Sequence, residues 1–400
     1  MTGGRAASPI SRVGAACCGC AACAAACPAR CIAMKADKEG FARPVVEVGR
    51  CTGCGACSKA CPALTGRRGD GVLSTSWAVS RDGRLLDRSS SGGVFGQMAR
   101  RVISRGGAVY GARWERACRS VSHARADGQS SLEPLLMSKY LQSTVRPETY
   151  AMVGRDLAEG RTVLYCGTAC QVAGLTGYLE ARGVERDRLL AVDVICHGAP
   201  SPLLWERWRA YVGRSRLSRV RTVDFRRKDP SWEHYSVAYG LSGGREVLVP
   251  HAEDWYLLAF LRNICLRPSC AVCPAKGRCG SDVTLGDFWG VGRVHPEVDQ
   301  SRGVSALIAR TEKGARVIEE ISDALVSGPS EYASVLEGNP SLERSSAPHP
   351  DREAFMSVLS SGAGAAELRR RWPLGLPPEP AVAERIRRGL LGLLTGRGDG

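Results

Sequence analysis

The stretch Cys17-Cys18-Gly19-Cys20-Ala21-Ala22-Cys23-Ala24-Ala25-Ala26-Cys27-Pro28 returns in spacing at Cys51-Thr52-Gly53-Cys54-Gly55-Ala56-Cys57-Ser58-Lys59-Ala60-Cys61-Pro62. Each copy reads C-x2-C-x2-C-x3-C-P, and two copies predict two [4Fe-4S] clusters. Three thiolates on one tight loop can cap three irons of a cubane. The fourth iron faces away, so each run's last cysteine serves the other cluster. The expected ligands are Cys17, Cys20, Cys23 and Cys61 for one cluster, and Cys51, Cys54, Cys57 and Cys27 for the other. Zinc sites favour paired CxxC units rather than triplets closed by Cys-Pro.

Working outward, residues 17–66 form a ferredoxin-type module, with Gly40 to Val48 as a short strand between the runs. The chain has 400 residues, which leaves room for one large or two medium domains beyond that module. Of its 18 cysteines, ten fall within residues 17–61 in ligand spacing, a usage that fits a reducing compartment rather than a disulfide scaffold. No run approaches the roughly 18 apolar residues of a membrane span. The Ala-rich start has no apolar core of a signal peptide, so a cytoplasmic location is expected. The formal charge of +15 points to anionic partners. No basic run is interleaved with aromatics, so nucleic acid is not an expected partner.

Residues 1–16 read as a mobile tail and Gly66 to Gly71 as a linker. Strands are expected at Ser74–Val79, Ala108–Ala112, Arg161–Cys166, Leu189–Cys196 and Gly303–Arg310. Helices are expected from Val94 to Arg105, from Thr168 to Leu179 and, amphipathically, from Lys313 to Val326. Residues 220–250 alternate as antiparallel strands do. In the Pro- and Arg-rich end, Ala383 to Leu394 reads as a basic surface helix. The later cysteines sit where α/β sheets gather ligands: Cys170 opens a helix, Cys196 ends a strand, and Cys270 and Cys273 form a CxxC loop. They allow a third metal site. Ser89-Ser90-Ser91-Gly92-Gly93 before a helix is a candidate anion site.

Five stretches then resemble the coenzyme F420 hydrogenase/dehydrogenase beta-subunit family. They are Ser91-Gly92-Gly93-Val94-Phe95, Lys139-Tyr140-Leu141-Gln142-Ser143, Gly167-Thr168-Ala169-Cys170-Gln171, Cys196-His197-Gly198-Ala199-Pro200-Ser201-Pro202 and Ser281-Asp282-Val283-Thr284-Leu285-Gly286-Asp287-Phe288-Trp289-Gly290. The resemblance covers about three quarters of the chain, with Ala169 where relatives commonly carry proline. It implies an α+β or α/β fold in which the two-cluster ferredoxin-like module precedes a mixed α/β core that binds FAD and a cluster of its own. It divides the chain into the ferredoxin-type domain at 17–66, a beta-subunit N-terminal domain at 75–155, a C-terminal domain at 156–330 and an extension at 331–400.

Motif by motif, the resemblance assigns the third cluster to Cys170, Cys196, Cys270 and Cys273, with Cys265 and Cys279 as rivals. Cys18, Cys31, Cys118 and Cys166 are expected to be non-ligands, with Cys18 and Cys31 able to replace a ligand only if the cluster geometry shifts. Ser91, Gly92 and Gly93 are expected at FAD, Lys139 at a phosphate or the flavin N1 locus, and His197 at a proton relay or in support of the cluster. Asp287 and Trp289 are read as a turn carboxylate and a packed aromatic. Three clusters would lower the net charge by about 6, and FAD by about 2 more. The implied activity is an iron–sulfur flavoprotein oxidoreductase. It would pass single electrons between clusters and FAD and exchange a hydride with coenzyme F420 or another organic substrate. A soluble ferredoxin or another redox protein would be its partner. The alternative is an electron-transfer subunit without a substrate site, feeding a separate catalytic partner.

Overall fold

The computed structural model describes residues 9–66 and 71–375. The expected C-terminal helix at 383–394, most of the 66–71 linker and the first eight residues of the tail lie outside the described residues.

The two cysteine runs fold alike. Gly19 and Gly53, at φ +71° and +74°, turn the chain ahead of Cys20 and Cys54. Ala21 (φ +64°) and Gly55 (φ +75°) then cap the short helices Ala22–Ala26 and Ala56–Lys59 in the left-handed conformation. Between the runs lies a hairpin of β1 (Ile32–Ala36) and β2 (Ala42–Val46). Residues 9–16 are not a free tail: Ile10 is buried with Cys23, Cys27, Cys57 and Cys61. An apolar side chain over the cluster loops shields them from water, which explains why packed structure begins ahead of the first cysteine run.

The core is a mixed sheet of nine strands. In chain order they are β3 (Ser74–Ser80), β4 (Ala108–Trp114), β5 (Val121–Ala126), β6 (Ser143–Thr144), β7 (Val163–Thr168) and β8 (Leu189–Val194). After β9 (Val220–Arg227), β10 (Ser236–Leu241) and β11 (Glu246–Pro250), which form a separate antiparallel sheet, come β12 (Val283–Asp287), β13 (Ser305–Ala309) and β14 (Leu325–Pro329). The spatial order of the nine is β14-β3-β13-β12-β8-β7-β4-β5-β6. Strands β4, β7, β8 and β12 run parallel, and β7 and β8 are largely buried, as their apolar runs require.

The expected helix at 313–326 is shorter, spanning Glu312–Glu319. Its amphipathic pattern continues, but Leu325 and Val326 pair with Ser80 and Val79 to extend the sheet edge, and sheet pairing overrides the helical period. Residues 352–371 add two helices whose Phe355, Met356, Leu359 and Leu368 join the aromatic cluster around Trp205 and Tyr256.

The helix Ala169–Arg182 positions the functional region. Thr168 and Gln171 form a capping box at its start, and Gly183 at φ +63° ends it. On its face toward the cysteine module, a Cβ on Gly174 would lie 2.9 Å from Tyr150 Oη and 3.0 Å from Cys20 Sγ. One on Gly177 would lie 2.7 Å from the Ala60 carbonyl oxygen. Glycine is what allows the module to sit directly on this helix. From the other side, Ser201 Oγ donates to Glu39 O and Arg352 pairs with Glu39 at 2.7 Å, locking the hairpin against the core.

Candidate iron–sulfur sites and the path between them

Cys17, Cys20, Cys23 and Cys61 line one pocket, together with Ile10, Val13, Cys18 and Met34. The last cysteine of the second run thus joins the first three of the first run. Burial pushes the Cys23 thiol up to about 12, and its neighbours Cys17 and Cys61 add to the rise. Burial likewise raises Cys61. Thiolates crowded in a buried site become stable only around a cationic core, so this donor set fits an iron–sulfur cluster. Among the described residues, no group of three or more His, Cys, Asp or Glu side chains is placed to hold a single metal ion.

Of the second set, Cys27, Cys51 and Cys57 pack in the same apolar cluster, while Cys54 is exposed. The Ala56 backbone N–H and the Thr52 hydroxyl hold the Cys54 thiol below its ordinary range. Cys31, expected to be a bystander, has its Sγ 3.4 Å from Cys27 Sγ and also neighbours Cys51. It is therefore a fifth thiol at this site.

In the core, Cys170, Cys196, Cys270 and Cys273 come together from a helix start, a strand end and a loop. Burial lifts the Cys196 thiol well above its range, with Cys170, Cys270 and Cys273 adding to the rise. Cys270 is pushed up to about 11 by burial, with Cys170 and Cys273 nearby. The Ala199 N–H donates to Cys270 Sγ at 3.3 Å, and Lys276 Nζ donates to the Cys196 carbonyl at 2.6 Å. Of the two rivals, Cys265 is fully buried in the aromatic cluster, within electrostatic reach of Cys270. Cys279 belongs to the buried cluster against which Cys170 and Cys273 also pack.

Tyr165 supplies a test of fit. It is fully buried, and its hydroxyl has no hydrogen-bond partner among the described residues, although Cys20, Cys170 and Cys166 are its ionisable neighbours. An orphaned buried hydroxyl costs about 1–3 kcal/mol. A sulfur acceptor at either neighbouring site would satisfy it. Cys18 bridges the same interval: its thiol hydrogen-bonds with those of both Cys170 and Cys20. Tyr165 and Cys18 are not singled out as site residues by the sequence, because neither falls in the cluster spacing. Cys118 and Cys166 stand apart from the cluster thiols; Cys118 Sγ donates to the Arg221 carbonyl, and Cys166 lies in β7 beside Lys139.

The residues expected at a flavin are otherwise engaged. Ser91 Oγ donates to Val304 O at 2.8 Å, and the Gly92 N–H donates to Ser305 Oγ at 2.9 Å. A Cβ on Gly92 would collide with the Ala78 carbonyl, so this glycine serves close packing on β3 and β13. What remains for an anion is the helix Val94–Ser104, which starts at Gly93 (φ +83°) without a side-chain cap. Lys139 Nζ donates to the Leu136 and Met137 carbonyls, and burial lowers its pKa to about 7. Lys228, not singled out by the sequence, donates to Leu86 O and Ser91 O behind the same loop.

His197 Nε2 lies 2.6 Å from Asn263 Oδ1, its ring meets Phe260 edge-on, and burial lowers its pKa. This anchors the turn that carries Cys196. Asp287 pairs with the buried Arg226 at 2.7 Å and accepts from Trp232 Nε1, and Trp289 stacks on Trp232 at 4.7 Å. Trp289 is thus the packed aromatic expected, whereas Asp287 is not a turn carboxylate: it ends β12 and is the counter-ion of a buried arginine from the second sheet. No helix among the described residues is long and apolar enough to cross a membrane.

Comparison with known proteins agrees with this division. Residues 16–64 match the 4Fe-4S dicluster domain, and residues 160–330 match the family described as the C terminus of the coenzyme F420 hydrogenase/dehydrogenase beta subunit. A chain of the F420-reducing [NiFe] hydrogenase complex from Methanosarcina barkeri is similar at 15% identity and a TM-score of 0.48, over 68% of this chain and 90% of that one. No curated protein matches. Residues 160–330 therefore carry a domain of the family described as the C terminus of the coenzyme F420 hydrogenase/dehydrogenase beta subunit, with a 4Fe-4S dicluster domain ahead of it.

Proposed function

We propose that this chain is an electron-transfer protein that relays single electrons between an outside redox protein and its α/β core through three [4Fe-4S] clusters. The clusters would be held by Cys51, Cys54, Cys57 and Cys27 at the outer end, by Cys17, Cys20, Cys23 and Cys61 in the middle, and by Cys170, Cys196, Cys270 and Cys273 in the core. One observation carries the reading: the three thiol sets follow one another inward as successive neighbours. Cys54 is exposed, Cys23 neighbours Cys57, and Cys18 spans Cys20 and Cys170. An acidic partner fits the outer end, given the chain's net positive charge.

A finer reading adds FAD, which would convert these single electrons into hydride exchange with coenzyme F420 or another organic molecule. The family match and the part-buried amine of Lys139 beside Cys166 favour it. Ser91 and Gly93 would then lie at the edge of the cofactor, near the open helix start.

The test is iron, acid-labile sulfide and FAD per chain after purification without oxygen. About twelve irons are expected. About eight would leave only the dicluster module, and an absence of flavin would leave the relay without its hydride step.

A further inference from the structure

Arg267 is a full positive charge buried between two of the three thiol sets. It is 2% exposed. Its backbone belongs to the core site: its N–H donates to Ala199 O, and its carbonyl accepts from the Cys270 N–H. Its side chain belongs to the middle site. Nη1 donates to Cys17 O at 3.0 Å, Nη2 to Ala42 O at 3.1 Å, and Nε to Gln142 Oε1 at 3.1 Å. Gln142 in turn donates to Cys18 O at 2.8 Å. The guanidinium lies over the Phe41 ring, 4.7 Å from its centroid. It fills the space a side chain on residue 19 would need, since a Cβ there would lie 2.6 Å from Nη2.

None of the partners of this guanidinium is anionic. Among the described residues Arg267 enters no ion pair; of the other buried arginines, Arg226 holds the carboxylate of Asp287, and Arg310 donates to Thr284 Oγ1 and Gly71 O. Its charged or ionisable neighbours are Cys17, Cys18 and Cys270, and a second cation, Arg43, which is itself paired with Asp37. A buried charge without a counter-ion is costly. The ionisable acids nearest to this charge are the thiols of the sets on either side, Cys17 and Cys18 on one and Cys170 and Cys270 on the other.

We propose that Arg267 is the shared counter-cation of the middle and core clusters and raises the reduction potential of both. This rests on the three-cluster reading. A four-thiolate cluster is anionic and gains a further negative charge on reduction, so a fixed cation beside it favours the reduced state. The outer cluster, at the exposed Cys54 end, lacks this cation. An electron entering there is drawn inward to the middle cluster, and the core cluster, raised by the same charge, stays accessible from it.

The test is a potentiometric titration, followed by electron paramagnetic resonance, of the anaerobically purified full chain and of Arg267→Gln and Arg267→Lys, with iron counted on each sample. Wild type with about eight irons would remove the three-cluster reading itself. With about twelve, Arg267→Gln is expected to lower two of three midpoint potentials and leave the third in place, and Arg267→Lys to stay close to wild type. No shift in Arg267→Gln, equal shifts of all three, or Arg267→Lys shifting as far as Arg267→Gln would overturn the proposal, the last by showing that hydrogen bonding rather than charge matters. If Arg267→Gln does not load, Arg267→Lys decides: loading with wild-type potentials supports the role of charge, and failure to load refutes it.

Discussion

Gly177→Ala tests whether the dicluster module is held at a functional distance from the core. The added Cβ would lie 2.7 Å from the Ala60 carbonyl oxygen, with Ala60 C at 3.1 Å and Cα at 3.2 Å. These are backbone atoms, so no rotamer can relieve the overlap. Reaching an ordinary contact of 3.4 Å requires the Ala56–Lys59 helix end to retreat by at least 0.7 Å (3.4 − 2.7). Ala60 is bonded to Cys61, which lines the middle site, and the retreat is therefore transmitted to a proposed ligand. Overpacking of this kind costs about 1–3 kcal/mol. Replacing a mid-helix glycine by alanine returns about 0.5–1 kcal/mol. The clash wins, and the expected net loss is about 1 kcal/mol, about fivefold in the docked population. The assay is anaerobic denaturation with parallel measurement of the rate at which reduction of the module reaches the core. Gly66→Ala, where an added Cβ would meet nothing within 4 Å, is the control and should change neither. A Gly177→Ala protein as stable as wild type and as fast in internal transfer would refute the view that glycine is needed for close docking.

Three further outcomes are expected. Cys170→Ser should remove about a third of the iron while the dicluster module keeps its share, as measured by iron and sulfide content; unchanged iron would exclude Cys170 as a ligand. Tyr165→Phe removes a hydroxyl that has no protein partner, so the cluster-free fold should be unharmed, while a cluster potential should fall because a hydrogen bond to sulfur is lost. Potentials identical to wild type would show that the hydroxyl meets no cluster. Lys139→Met should change the pH dependence of stability. Burial depresses the folded-state pKa of Lys139 to about 7. The unfolded chain therefore binds more protons above that pH, and wild type should gain stability relative to Lys139→Met as pH rises from about 7 to about 10. Parallel denaturation curves over that window would contradict a buried ammonium.

What was legible in the sequence was local. The register of eight cysteines and two prolines depends on one loop geometry, and apolar runs such as Leu189–Val194 report burial through composition alone. The groups that tie the sites together are not local. Arg267, Tyr165 and Cys18 come from three distant segments, and each looks ordinary in its own stretch; only docking of the module on the core brings Arg267 beside Cys18 and Tyr165 beside Cys20. The 313–326 helix was overextended for a related reason, because Leu325 and Val326 satisfy a helical period until β3, from far earlier in the chain, pairs with them. Gly92 shows how close packing and ligand approach leave the same mark in a sequence. A glycine before a helix suggests room for a ligand's phosphate, yet here the close approach is to the protein's own Ala78 and Ser305.

Distant packing of this kind also sets the spacing between the sites. Two glycines within one helix weaken it by about 1–2 kcal/mol in intrinsic propensity, a cost that secondary structure alone does not justify. Gly174 and Gly177 lie on the helix face against which Cys20 and Ala60 pack, and Cys170 lies one turn before Gly174 on the same helix. Any side chain at Gly174 would push Cys20 away from Cys170 and open the interval that Cys18 spans. The intrinsic weakness of this helix is therefore coupled to the closeness of the middle and core thiol sets, and that closeness is the physical requirement for passing an electron between them.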